Sequence, residues 1–176
     1  MDFGRAFATV AGFLEGEGFP VAVVGGLSLH AFGVTRATQD LDLVTDADAR
    51  VKTVAFLESL GYETLHASDG YSNHLHTNAA LGRVDMVYVG GETLRLLFEG
   101  SRELLTLGGR LARVPSPEHL IAMKVQAIKN DRSRAFQDLA DVRSLLVAAD
   151  VDRGKVEGYF RRAGLEDKWD ELRKTL

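Results

Sequence analysis

VAVVGGLSLHAFGVTRATQDLDLV, residues 21–44, decides how this chain is read. One apolar run ends in Gly25-Gly26, and a second is interrupted by Asp40 and Asp42. Residues i and i+2 of a strand share a face. Asp40 and Asp42 therefore project together, while Leu41 and Leu43 project to the other side. Two ionised carboxylates on one face repel unless something positive sits between them. Magnesium answers that need, because it takes oxygen ligands and commonly uses one or two carboxylates plus substrate phosphates. The alternative is a solvent-facing strand carrying two surface aspartates.

Two neighbouring features weigh on the choice. A glycine pair between a strand and a helix lets a phosphate approach the backbone closely, and Ser28 adds a hydroxyl donor. An ordinary turn is the competing reading. Asp85 in RVDMVYV again interrupts an apolar strand, sharing a face with Val87 and Val89. If that strand lies beside Asp40–Val44, three carboxylates converge. Such a group can hold divalent metal and orient a hydroxyl for attack on phosphorus.

Outward from this stretch, Phe3, Phe7, Val10, Phe13 and Leu14 recur at helical spacing, predicting a helix over 3–16. Val21–Val24 is a short buried strand, Leu27–Phe32 a brief helix, and Asp40–Val44 a second strand. Asp46 or Asp48 caps a helix over Ala49–Leu60. Tyr62–His66, Ser72–Ala79 and Arg83–Val89 read as strands, with Leu81-Gly82 as a tight turn. That turn would set Asn78 opposite Asp85 and bring His74 and His76 alongside the carboxylates, for phosphate, base or proton contacts. A surface H-x-H is the other reading. Glu92–Phe98 is helical, and Gly108-Gly109 joins a hairpin of Glu103–Leu107 and Arg110–Val114. Ser116 caps a helix that opens with Pro117, and Ala135–Ala149, Val151–Ala163 and Glu166–Leu176 follow as helices. Tyr71, Tyr88 and Trp169 are expected to serve packing. The pattern is an α+β core over 1–114 and a helical region over 115–176.

Bulk numbers bound the function. The 176 residues suffice for a real core. No cysteine is present, which excludes disulfides, thiolate nucleophiles and cysteine-type zinc sites. No apolar run suggests a membrane span, and the N-terminus lacks a signal-peptide pattern, so a cytoplasmic protein without membrane partners is expected. Net charge is −4. Residues 124–176 hold 12 Lys/Arg against 10 Asp/Glu, so the acid excess lies in 1–123. That distribution permits an anionic ligand at the C-terminal side without demanding one.

The combination GG-x-S, R-x-T-x-D-x-D and a later strand with a single Asp resembles the nucleotidyltransferase superfamily, with its DNA polymerase β-like fold. MKVQAIKNDRSRAFQDLADV is similar to the helical motifs of AbiEii-type nucleotidyltransferases, here Lys124, Asp138 and Asp141. The resemblance covers roughly residues 20–145. It implies a mixed β-sheet flanked by helices, with a helical C-terminal part completing the active site. It also implies transfer of a nucleoside monophosphate from an NTP to an acceptor hydroxyl, an EC 2.7.7 type of reaction. Asp40, Asp42 and Asp85 would bind Mg²⁺ or Mn²⁺, and Asp85 would help activate the acceptor. Gly25, Gly26, Ser28 and Lys124 would contact the triphosphate, Arg36 would contact phosphate or balance the acids, and Asp138 would position Lys124 or the base. Gly26 stands where many relatives have serine, and the chain is short for the AbiEii group. The implied acceptor is tRNA or a protein, with the chain as the toxin of a toxin–antitoxin pair and a cognate antitoxin as partner. Alternatives are a small-molecule acceptor, as in aminoglycoside or lincosamide nucleotidyltransferases, and a non-catalytic nucleotide-binding member.

Overall fold

The computed structural model describes all residues 1–176 and divides them into two compact units. The first comprises Met1–Ala31 and Arg36–Pro115, and the second Phe32–Thr35 and Ser116–Leu176.

The first unit is built on a mixed five-stranded sheet. Its strands are β1 (Val21–Val23), β2 (Asp40–Asp46), β3 (Glu63–Ala67), β4 (Tyr71–Leu75) and β5 (Arg83–Val89), in the spatial order β1-β2-β5-β4-β3. Only β2 and β5 are parallel; the other pairs are antiparallel. β1 lies beside β2 with Val23 opposite Leu43. Alternation divides the sheet. Leu41, Leu43, Val84 and Met86 are fully buried on one face, where α1 (Phe3–Gly16) and α3 (Arg50–Ser59) supply Phe7, Val10, Leu14 and Leu57. Asp40, Asp42, Arg83, Asp85 and Val87 share the opposite, partly open face. A second sheet, β6 (Arg102–Leu107) with β7 (Arg110–Val114), turns at Gly108-Gly109 and follows α4 (Gly91–Glu99). α1 packs on this hairpin too. A Cβ at Gly4 would stand 2.5 Å from the Gly108 Cα, so bare glycine is needed there.

Three expectations change. The turn after β1 is helical from Gly25 itself: α2 (Gly25–Ser28) continues as a 3₁₀ turn over Leu29–Phe32. β4 ends at Leu75 rather than Ala79. His-Thr alternation imitates a strand, but the Asn78 side chain accepts from the Ala80 amide (3.0 Å) and its carbonyl accepts from Leu81 and Gly82. Asparagine closes a turn there and the ladder stops. The register therefore differs as well: Asn73, not Asn78, lies opposite Asp85, and Tyr71, not His76, opposite Val87.

The second unit is helical: α5 (Pro117–Asn130), α6 (Ala135–Ala148), α7 (Arg153–Ala163) and α8 (Glu166–Arg173). Ser116 caps α5 by accepting from the His119 amide. Asp152 caps α7, and Gly164 closes it in the left-handed conformation at φ 69°. Ile121, Val125, Val142, Leu145, Val156 and Phe160 form its core, against which Trp169 and Leu172 are buried. No helix of the chain is long and apolar enough to cross a membrane.

Candidate functional site

The parallel β2–β5 pairing sets Asp42 directly opposite Asp85 and Asp40 opposite Arg83. Asp40, Asp42 and Asp85 thus converge on one sheet face, as their spacing implied. Adjacent strands are about 4.8 Å apart, so the paired carboxylates are immediate neighbours.

Gly25 forms the wall beside Asp42. Its φ is +63°, and a Cβ there would stand 1.9 Å from Asp42 Oδ2 and 2.4 Å from its Cγ. The Val24 amide also donates to the Asp42 carbonyl at 3.0 Å. A Cβ at Gly26 would stand 2.7 Å from a guanidinium nitrogen of Arg36 and 3.1 Å from Thr38. The glycine pair therefore makes room first for this chain's own Asp42 and Arg36. The Arg36 loop is held in turn by His30, whose Nε2 lies 2.9 Å from the Arg36 carbonyl.

Ser28 departs from its expected place. It is fully buried, and its hydroxyl donates to the Gly25 carbonyl at 2.8 Å, closing the turn from inside. The hydroxyl stabilises the glycine turn and is not turned outward as a phosphate donor.

Arg83 was missed by the sequence reading. Its Nε donates to both oxygens of Asp85, at 2.9 and 3.1 Å. That bond raises the guanidinium pKa above its ordinary value; burial opposes this, and Asp85, Asp40 and Asp42 add attraction. The signal was present: Arg83 stands two positions before Asp85 in the same strand, hence on the same face. Arg83 thus brings positive charge to the three carboxylates, which their mutual repulsion requires.

The histidines do not flank the carboxylates. His74 pairs with Val84 on the core face and is fully buried. It belongs to a hydrogen-bonded chain. Thr64 Oγ1 donates to Glu58 Oε1 at 2.8 Å, so it accepts from His74 Nδ1–H at 3.1 Å. Nε2 then accepts from Ser72 Oγ at 2.7 Å, and Ser72 accepts from the Tyr88 hydroxyl at 2.8 Å. Burial lowers the His74 pKa, with Asp85 and Glu58 pulling the other way. Tyr88, expected to serve packing, is one end of this chain, and burial raises its pKa. His76 lies beyond β4. It accepts from the Asn78 amide at 2.8 Å, approaches the Leu60 carbonyl at 3.2 Å, and meets the Tyr62 ring edge-on.

Lys124, in the second unit, is buried between two helices. Its ammonium donates to Asp138 Oδ1 at 2.9 Å and Asp141 Oδ2 at 2.5 Å. Arg134, the N-cap residue of α6, donates its Nε–H to the other oxygen of Asp138 at 3.1 Å. The three motif residues come together as a buried ionic cluster that ties α5 to α6. Two of the three ammonium hydrogens are committed within it.

As the side chains stand, no group of three or more His, Asp or Glu residues is arranged to hold a metal ion. The paired carboxylates of Asp42 and Asp85, with Asp40 beside them, nonetheless offer the hard oxygen donors that magnesium takes.

No protein-family model and no curated protein matches the sequence. Solved structures do match. The antibiotic-resistance factor ANT(2'')-Ia is 18% identical, with a TM-score of 0.68 over 99% of this chain and 98% of that one. The lincosamide antibiotic adenylyltransferase LnuA is 15% identical, with a TM-score of 0.57 over 82% of this chain and 97% of that one. A nucleotidyltransferase-like protein from Paracoccidioides brasiliensis is 16% identical, with a TM-score of 0.59 over 98% and 91%. At these identities the likeness shows the fold, which is the nucleotidyltransferase fold.

Proposed function

We propose that the chain is a metal-dependent nucleotidyltransferase that moves a nucleoside monophosphate from an NTP to an acceptor hydroxyl. The observation that carries this reading is the in-register pairing of Asp42 with Asp85, with Asp40 on the same face, in a nucleotidyltransferase fold. Asp40 and Asp42 would hold Mg²⁺ or Mn²⁺, with Asp85 alongside. The ion supplies charge neutralisation for the triphosphate and for the pyrophosphate that departs.

The chain's own groups supply positioning. Asp85 accepts the proton of the acceptor hydroxyl as its oxygen bonds to the α-phosphorus. The bond from that phosphorus to the bridging oxygen of the β-phosphate breaks, and pyrophosphate leaves. Arg83 fixes the Asp85 carboxylate through both oxygens. Arg36, packed over Gly26, offers a cation to phosphate oxygens. Reactions of this kind rest mostly on positioning and charge, so a few groups suffice.

A small-molecule hydroxyl is the acceptor class we favour. ANT(2'')-Ia has been seen with adenylyl-2''-tobramycin and LnuA with lincomycin, and both match this chain over most of its length. The second reading, an AbiEii-like toxin acting on tRNA or protein, draws support from the meeting of Lys124, Asp138 and Asp141. Radiolabelled NTPs with Mg²⁺ test both. Labelled small alcohols with unlabelled RNA fit the first; labelled tRNA fits the second; failure of every NTP to bind or react removes the proposal.

A further inference from the structure

The sheet face that carries the carboxylates continues past Asp85 onto β4 and β3. Register puts Asn73 opposite Asp85 and Tyr71 opposite Val87, so Tyr71, Asn73 and Leu75 extend the same face. His66 joins them through a β-bulge. Between Thr64 and His66 the β3–β4 register shifts by one, and His66 pairs with Asn73. Without the extra residue, Leu65 would take that position and His66 would turn toward the core side. Bulges beside functional sites commonly re-aim a side chain in this way.

The re-aimed ring has a partner. His66 and Tyr71 stack with centroids 4.7 Å apart and planes 20° from parallel. Both are exposed, Tyr71 at 48%. Exposed stacked rings cost ordering entropy and bury little surface, so core packing does not account for them. From strand spacing and rise, Tyr71 lies about 8 Å from Asp85 and His66 about 10 Å, backbone to backbone. A single ring bridges that gap.

Charge narrows the occupant. β3 and β4 contain no lysine or arginine, which disfavours a phosphate backbone. Between Asp85 and the rings stands the neutral amide of Asn73, and the one acid of β3 and β4, Glu63, pairs with Leu75 at the opposite end of the face from Tyr71.

Resting on the nucleotidyl-transfer reading, we propose that His66 and Tyr71 are the acceptor's seat. Its occupant is a neutral small molecule whose flat unsaturated ring lies on these side chains and directs a nearby hydroxyl to Asp85. Aromatic stacking supplies the affinity and the orientation.

Ligand-observed and side-chain NMR tests this without nucleotide or metal. Tyrosol, a phenol with a primary alcohol, and cytidine, a nucleobase with ribose hydroxyls, are the probes, and tobramycin is the polycationic control. Either flat-ring probe should shift the His66 and Tyr71 ring signals at millimolar concentration, and which one binds better identifies the source of the ring. In transfer assays Tyr71→Ala should raise the acceptor KM about tenfold with kcat little changed, and Tyr71→Phe should restore it. Unmoved ring signals with both probes overturn the proposal. So does transfer to tobramycin with the same KM in Tyr71→Ala, which leaves nucleotidyl transfer intact. If no NTP is ever bound while tyrosol or cytidine still shifts both rings, the activity reading fails and the seat stands.

Discussion

The Asp42 carboxylate occupies the space that a side chain at Gly25 would need: a Cβ there would fall 1.9 Å from Oδ2. Gly25 also adopts φ +63°. The turn and the carboxylate are therefore one fitted unit, and each constrains the other.

Gly25→Ala should accordingly injure both stability and activity. The left-handed backbone alone costs a residue with a Cβ about 1–2 kcal/mol, and the methyl displaces Asp42. The expected result is a lower Tm with nearly complete loss of transfer. Asp42→Ala should abolish transfer while circular dichroism keeps the wild-type spectrum. Full activity in either variant would refute the site.

Arg83 and Asp85 should separate by degree. Asp85→Asn removes the proposed proton acceptor and should cost about 10²–10⁴-fold in kcat. Arg83→Gln keeps the carboxylate but releases its orientation, so a smaller loss is expected. If Arg83→Gln proves as damaging as Asp85→Asn, the arginine contacts substrate rather than positioning the carboxylate.

His74 predicts a pH dependence of stability. Its folded pKa lies below the ordinary value because burial disfavours the imidazolium. The unfolded chain then binds the proton more readily. The stabilisation is fully present above about pH 6.5, the unfolded value, and is lost as pH falls toward the lower folded value. Protonation would also give Nε2 a hydrogen facing the Ser72 hydroxyl, which must then turn toward Tyr88. Glu58 beyond Thr64, Asp85 on β5 and Arg50 near Tyr88 complete the charged surroundings. Thermal melts across pH 7 to 5 should show Tm falling in the wild type and a flatter profile in His74→Gln; equal slopes would deny His74 this role.

Lys124 should matter to the fold of the helical unit. Lys124→Met leaves Asp138 and Asp141 buried without their shared cation. Breaking such a cluster costs about 3–5 kcal/mol, which chemical denaturation measures. Replacing all three by apolar residues of similar size should recover most of that loss. If Lys124→Met is instead neutral to stability but abolishes NTP binding, the lysine serves the triphosphate.

The sheet face of the site was legible in the sequence because a period of two is unambiguous when charges interrupt apolar strands. Asp40, Asp42 and Asp85 announced themselves in that way. Arg83 obeys the same period and so shares the face of Asp85, but it begins its strand, where a charge is unremarkable and draws no notice. The β4 register was hidden by Asn78, whose side chain closes a turn that alternation cannot show. Ser28 looked available beside a glycine turn, but the direction of its hydroxyl depends on the helical start at Gly25. Lys124, Asp138 and Asp141 were identified by motif, but their burial is set by how α5 and α6 pack.

The rung that joins Asp42 to Asp85 also has a kinetic meaning. β2 and β5 are parallel and distant in the chain, with α3, β3 and β4 between them. Closing so long a loop is slow relative to forming the local hairpin of β4 and β5. A slip of one residue would carry Asp85 to the core side and leave Asp42 facing an apolar neighbour. During refolding, helix content should therefore recover ahead of catalytic competence, and the lag should time the closure of a single parallel pairing.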